Sequence, residues 1–210
     1  MNQWIERIYS KKTFPKYFKY QFIPYASMFV LECIIDQQNP LVTLISVFII
    51  NIWSYFVHYS YHLIPKSINP HLFFHHEKDG EGENKTETTI VQKLVGDWLE
   101  ILGNVWIFLL LYIIKKQFDI TFIKDQTLFF ACILYLSVHI INYSILHVGP
   151  EHSRHHNIEK ICNVGPDVFD VLFNTKCDHG EDDEFENLNH MILNMIICFY
   201  ITIALFDIKI

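Results

Sequence analysis

Arginine is nearly absent from this chain: Arg7 and Arg154 stand against fourteen lysines, a bias that reads as coding preference rather than function. Basic residues are also in the minority, 16 against 23 acidic ones, for a net charge of -7. No basic face is therefore available to neutralise phosphates, which excludes nucleic acid as a partner. The chain has no Gly-x-Ser-x-Gly elbow, no phosphate-cradling Walker loop and no dinucleotide fingerprint, so the common hydrolytic and nucleotide-dependent machineries have no footing here. Its five cysteines, Cys33, Cys132, Cys162, Cys177 and Cys198, include no Cys-x-x-Cys pair. An odd, scattered set argues against a disulfide framework and for reduced, structural thiols. A secretory signal is missing as well. Residues 1–20 interleave Arg7, Lys11, Lys12, Lys16 and Lys19 with aromatics such as Trp4, Tyr9 and Phe14, without a short apolar region or a small-residue cleavage site. That stretch reads either as a basic, aromatic segment along a membrane surface or as a partly ordered basic tail.

What is abundant is apolar surface: 51% of residues are hydrophobic, gathered into five blocks between polar connections. The blocks run roughly 20–35, 41–64, 98–114, 127–146 and 191–206. A bilayer-spanning helix needs about 20 mostly apolar residues. The second and fourth blocks meet that length; the first contains Glu32, the third Glu100, and the fifth is short but free of charge. The competing reading is a soluble helical protein with unusually apolar core helices. Against it, Leu41 to Val57 offers water little beyond Thr43, Asn51 and two serines.

Twelve histidines are the second abundance, and ten of them fall in four clusters. These are His58 and His62; His71, His75 and His76; His139 and His147; and His152, His155 and His156. Neutral imidazole suits borderline metals such as iron and zinc. A closed structural zinc takes about four ligands, so ten suit two metals with room for a reactant. Helical residues four apart share one face, which fits His58 with His62, His71 with His75, and His152 with His156. His139 and His147, eight apart, are expected to face inward two turns from each other. His179 and His190 lie outside the pattern and read as surface residues. Metal-bound imidazoles usually donate their second N–H to a carboxylate or carbonyl; of Glu77, Glu151, Asp167, Asp170 and Asp178, Asp170 is the first choice for that role.

Topology brings the clusters together. The five N-terminal basic residues place that end in the cytosol under the positive-inside rule. One crossing out and one back deliver His58 and His62 to the cytosolic side, with His71 to His76 following. A hairpin turning at 115–124 returns the chain to the same side at His152 to His156. Lys115, Lys116 and Lys124 in that turn pull the absolute orientation the other way. The sequon at Asn84 would then face the cytosol unmodified. The polar run 77–89 around it reads as a solvated loop, or as a lid or a docking strip for a redox partner.

On these residues the chain resembles the fatty acid hydroxylase superfamily, the membrane-bound histidine-box di-iron oxygenases, over roughly residues 40–180. The resemblance is sharpest in His152-Ser-Arg-His155-His156, Asn163-Val-Gly165 and Phe169-Asp170-Val-Leu-Phe173-Asn-Thr175. The family pattern there runs His-x-x-His-His, Asn-Tyr-Gly and Trp-Asp-x-Leu-Phe-Gly-Thr. His58 and His62 match its first box. His71, His75 and His76 resemble its second with one extra residue, and His139 and His147 fall near its further histidines.

The resemblance implies an all-α integral membrane bundle of four or five transmembrane helices, with a cytosolic histidine-rich cap holding a dinuclear metal site. The expected organisation is a basic aromatic segment and first helix at 1–40, a catalytic domain at 41–180, and an acidic linker with a C-terminal membrane helix at 181–210. The implied ligands are the ten clustered histidines, supported by Asp170 and Asn163, around two iron ions, for which zinc can substitute. Dioxygen is the implied co-substrate, a lipid the substrate, and cytochrome b5 with its reductase the external electron donor, in the endoplasmic reticulum if the source is eukaryotic. Hydroxylation of an unactivated C–H bond is the expected reaction, with desaturation on the same site as the runner-up. A non-catalytic metal-binding membrane protein is the reading from another class. A transporter would carry its ligands near the bilayer midplane, whereas these clusters lie at helix ends and in loops.

Overall fold

The computed structural model of the protein describes residues 13–65, 90–146, 155, 164–173, 175 and 188–210. The chain is helical, with no strand among the described residues. Helix α1 covers Thr13–Asp36, α2 Pro40–Tyr61, α3 Ile90–Gln117 and α4 Asp125–Ser137. A π-helical stretch, Val138–Ile145, carries α4 onward; α5 is the short Asp167–Phe173, and a 3-10 turn at Leu188–Met191 leads into α6, Ile192–Phe206. The expected all-α class is what the chain adopts, and each apolar block forms the body of a helix. Two segments, Pro40–Tyr61 and Asp125–Tyr143, are long and apolar enough to cross a bilayer.

Helix α2 shows why these boundaries fall where they do. Asn39 precedes it and accepts a hydrogen bond from the Leu41 backbone N–H at 2.9 Å, satisfying one orphan donor of the first turn. Pro40 follows at a position where its missing N–H and fixed φ do no harm. At the other end the His62 and Leu63 amides bond back to Tyr59 and Ser60, each at 3.1 Å, tightening the last turn. Pro65 then disfavours helical backbone in the residue before it.

The helix faces are inverted relative to a water-soluble bundle. On α2 the polar Thr43, Ser46 and Ser54 are buried, while Leu41, Leu44, Ile45 and Phe48 are exposed at the i, i+3, i+4, i+7 spacing of one face. On α6 Asn194 and Thr202 are buried, while Leu193, Ile196, Ile197 and Tyr200 point outward. Leu102, Trp106, Leu109 and Ile113 form the same kind of stripe on α3. Contiguous exposed apolar faces of this kind mark contact with a membrane or another protein.

Helix α4 sits centrally. With α1 and α6 it encloses one core around Ile35, Phe130, Leu134, Met195 and Phe199. Its Leu128 joins a second with α2 and α3 around Ile50, Ile107, Phe108 and Leu111. A polar knot locks the end where α1 turns into α2. Asp36, 3% exposed, accepts from Thr43 Oγ1 and Thr127 Oγ1, each at 2.7 Å, and from Gln38. Gln38 and Ser46 also donate to the Phe122 carbonyl, at 2.9 and 3.0 Å. Lys115 and Lys116 pair with Asp125 at this same end, and the carboxylate holds the Lys116 ammonium above its ordinary pKa. Towards the other end, Trp53 Nε1 donates to the Ile107 carbonyl at 2.8 Å, setting α2 against α3 on the way to His58.

Candidate metal centre

Three of the predicted ligands converge. His58 lies in the last turn of α2, His62 caps that helix one turn further on, and His155 reaches the pair from far along the chain. One ring nitrogen from each lies within 4.8 Å of the others. The ring centroids are 5.2 Å apart for His58 and His62, 5.1 Å for His58 and His155, and 4.7 Å for His62 and His155. His58 and His155 are buried and His62 is half-buried.

The separation of the His58 and His62 Nε2 atoms, 3.4 Å, is informative. It exceeds the ~2.7–3.2 Å usual for nitrogen-donor hydrogen bonds. Two ligands at the tetrahedral angle, each about 2.0–2.1 Å from one ion, would stand about 3.4 Å apart. The pair could therefore share one ion in place of the contact between their rings, and His155 supplies a third imidazole beside them. Among the described residues the centre offers three protein nitrogens to a metal ion. The described residues fit one ion. The other predicted ligands, His71, His75, His76, His147, His152 and His156, lie outside the described residues, as does Asn163.

His139 is buried but, among the described residues, is not part of the three-imidazole group. It stacks on Tyr135 with ring centroids 4.4 Å apart and meets Tyr143 edge-on at 5.6 Å. Spacing it two turns from His147 assumed an α-helix. His139 lies in the π-helical stretch Val138–Ile145, and its expected partner His147 lies outside the described residues. His190, expected at the surface, is half-buried, its ring 5.9 Å from Tyr143 and its carbonyl accepting from Asn142.

Asp170 is fully buried and organises the loop beside the centre. Its carboxylate accepts from the Val164 amide at 2.9 Å, the Gly165 amide at 2.7 Å and Thr175 Oγ1 at 2.6 Å. Thr175 Oγ1 is in turn 2.7 Å from the Tyr55 hydroxyl, one helical turn before His58. Tyr55, Val164 and Phe169 form a small core over these bonds. A chain of contacts therefore joins the Phe169-Asp170 motif to the helix that carries His58. Sequence reasoning singled out Asp170 as a partner for an imidazole and missed this clasp, because the link to Tyr55 is long-range and Tyr55 looks like any aromatic of an apolar helix.

A cavity of about 150 Å³ extends from the centre into the bundle, with His58 and His139 in its wall and Met28, Val47 and Leu134 among its apolar lining. Val164, Gly165 and Pro166 of the clasped loop also line it. A second, almost wholly apolar cavity of about 330 Å³ lies between α1 and α2 and shares Tyr25, Met28, Val47 and Asn51 with the first. No family model, characterised protein or solved structure matches this chain. The reading of the centre rests on its own geometry.

Proposed function

We propose that this chain is an integral membrane, di-iron, dioxygen-dependent oxidoreductase that hydroxylates an unactivated C–H bond of a lipid. The observation that carries the reading is the double position of His58, which belongs to the three-imidazole cluster and to the wall of an apolar cavity. A metal held there would face a space whose surface is mostly apolar, with polar groups such as Glu32 and Asn51 in its wall. The outward apolar faces of α2, α3 and α6 support burial in a bilayer, with four or five helices spanning it and the histidine face towards the cytosol.

His58, His62 and His155 would hold one ion, and the remaining clustered histidines are assigned to its partner. When bound, a pair of iron ions would supply the activation of dioxygen. The protein's own contribution is position and dryness. Apolar residues such as Val47 and Leu134 hold the lipid chain and exclude water from the reacting bond. Tyr135 and Tyr143 fix the His139 ring against that wall, and the Asp170 clasp holds the loop that lines the same cavity. In the overall reaction one oxygen atom enters the C–H bond and the other leaves as water, with two electrons arriving from an external donor such as cytochrome b5 and two protons from solvent.

The test is metal content, with Mössbauer spectroscopy on iron-57-enriched protein purified anaerobically in mild detergent. Two coupled high-spin irons per chain are expected, and His155→Ala should lose metal and turnover while still inserting in membranes. A chain that takes up no iron after supplementation, or a His155→Ala variant of full activity, would overturn the proposal. Labelled dioxygen separates hydroxylation from desaturation, because only the hydroxylated product retains a labelled atom.

A further inference from the structure

The cavity wall contains a polar group that hydrocarbon cannot satisfy. Glu32 lies on α1, one turn before Asp36, is 2% exposed, and lines the cavity reached by His58. Its Oε2 has no hydrogen-bond partner among the described residues. Two polar groups of the same wall are internally satisfied: Asn51 Nδ2 donates to the Val47 carbonyl and Ser54 Oγ to the Asn51 carbonyl, each at 2.8 Å. An unmet acceptor in an apolar cavity is costly unless something bound there supplies the missing donor.

Its depth follows from the helix register. The Asp36–Thr43 hydrogen bond pins the antiparallel α1–α2 hairpin, so one turn back on α1 and one turn forward on α2 put Glu32 level with Val47. Both residues line the cavity. From Val47 to His58 the helix rises about 16 Å, and side chains on the antiparallel α1 and α2 lean towards their own N-termini, so Glu32 and His58 reach towards each other along one cavity wall. The second cavity opens at the Val47 level, between α1 and α2.

We propose that the cavity binds a lipid bearing a hydroxyl group, which donates to Glu32 while a methylene further along the chain lies beside the His58 centre. This inference rests on the lipid-oxidising reading and narrows its substrate to a chain with a hydroxyl group apart from the reacting carbon. A carboxyl accepts from a hydroxyl in either protonation state, and the broad, two-fold terminal torsion of glutamate lets either oxygen turn into the cavity. The hydroxyl thereby sets which carbon reaches the metal, as a ruler measured from Glu32.

The experiment is ligand binding to the purified full chain in mild detergent, without added metal, so that its outcome is independent of iron loading and turnover. The probes are 1-hexadecanol and hexadecane, and the readout is ligand-induced thermal stabilisation across a concentration series. The alcohol is expected to bind about tenfold more tightly than the alkane, the worth of one net hydrogen bond. Glu32→Leu should abolish that preference while leaving alkane binding intact, and the isosteric Glu32→Gln, which keeps an acceptor oxygen, should retain most of it. Equal binding of both probes by the native chain, or an undiminished preference in Glu32→Leu, would overturn the proposal. Should Glu32→Leu fail to fold, a Glu32→Gln variant that bound neither probe would overturn it too. A chain that takes up no iron on supplementation yet keeps a Glu32-dependent preference would refute the oxygenase reading and leave the lipid site standing.

Discussion

Removing the Asp170 carboxylate is expected to loosen the loop that lines the cavity beside His58. In Asp170→Ala the buried Val164 amide and the Gly165 amide lose their acceptor, as does the Thr175 hydroxyl. Each orphaned buried donor costs about 1–3 kcal/mol. Water can reach part of this loop, so about 3–5 kcal/mol is expected in total. For a chain of this size each kcal/mol moves the unfolding midpoint about 2–4 °C, giving a shift of about 10 °C. Asp170→Asn keeps one acceptor oxygen but turns an amide donor towards a backbone N–H, so it should fall between Ala and the native chain. Tyr55→Phe and Thr175→Val act at the far end of the same bonds and should cost about 1 kcal/mol each, with a double-mutant cost below their sum. Thermal unfolding in detergent measures all of these, and metal content on the same samples shows whether the loop's order is needed for metal binding at His58. A midpoint within about 1 °C of the native chain for Asp170→Ala would refute the reasoning, and additive costs for the Tyr55 and Thr175 variants would refute the shared chain.

Two further outcomes concern the end of the bundle remote from the histidines. Asp36→Ala leaves the Thr43 and Thr127 hydroxyls without their buried acceptor and should cost about 2–4 kcal/mol, read as a lowered unfolding midpoint; Thr127→Val, which removes one donor from a carboxylate that keeps others, should cost less than half as much. Asn39→Ala removes the cap of α2 and should cost about 1 kcal/mol in the same assay, with metal content unchanged because His58 lies at the other end of that helix.

Much of this protein was legible along the chain. Helices were readable because the apolar blocks are separated by polar connections and turn signals, as where Asn39 and Pro40 start α2 and Pro65 follows it. The pairing of His58 with His62 needed only the helical repeat, since residues four apart must share a face. Other features depend on contacts that no local pattern encodes. The π-helical stretch that carries His139 arises inside a continuous apolar run, where the hydrophobic pattern looks the same for either winding. Glu32 stood out in sequence only as a blemish in an apolar block; the Asp36–Thr43 pin and the packing of α1 on α2 turn it towards the cavity that His58 also lines. Asp170 was visible as a motif residue, but its bonds to Val164 and Gly165 and the link through Thr175 to Tyr55 required residues distant in sequence to meet. Periodicity and residue chemistry determine which elements form and which side chains can ligate or bond. Tertiary packing alone decides which of them face one another, because that choice is made by long-range contacts whose partners the chain does not hold side by side.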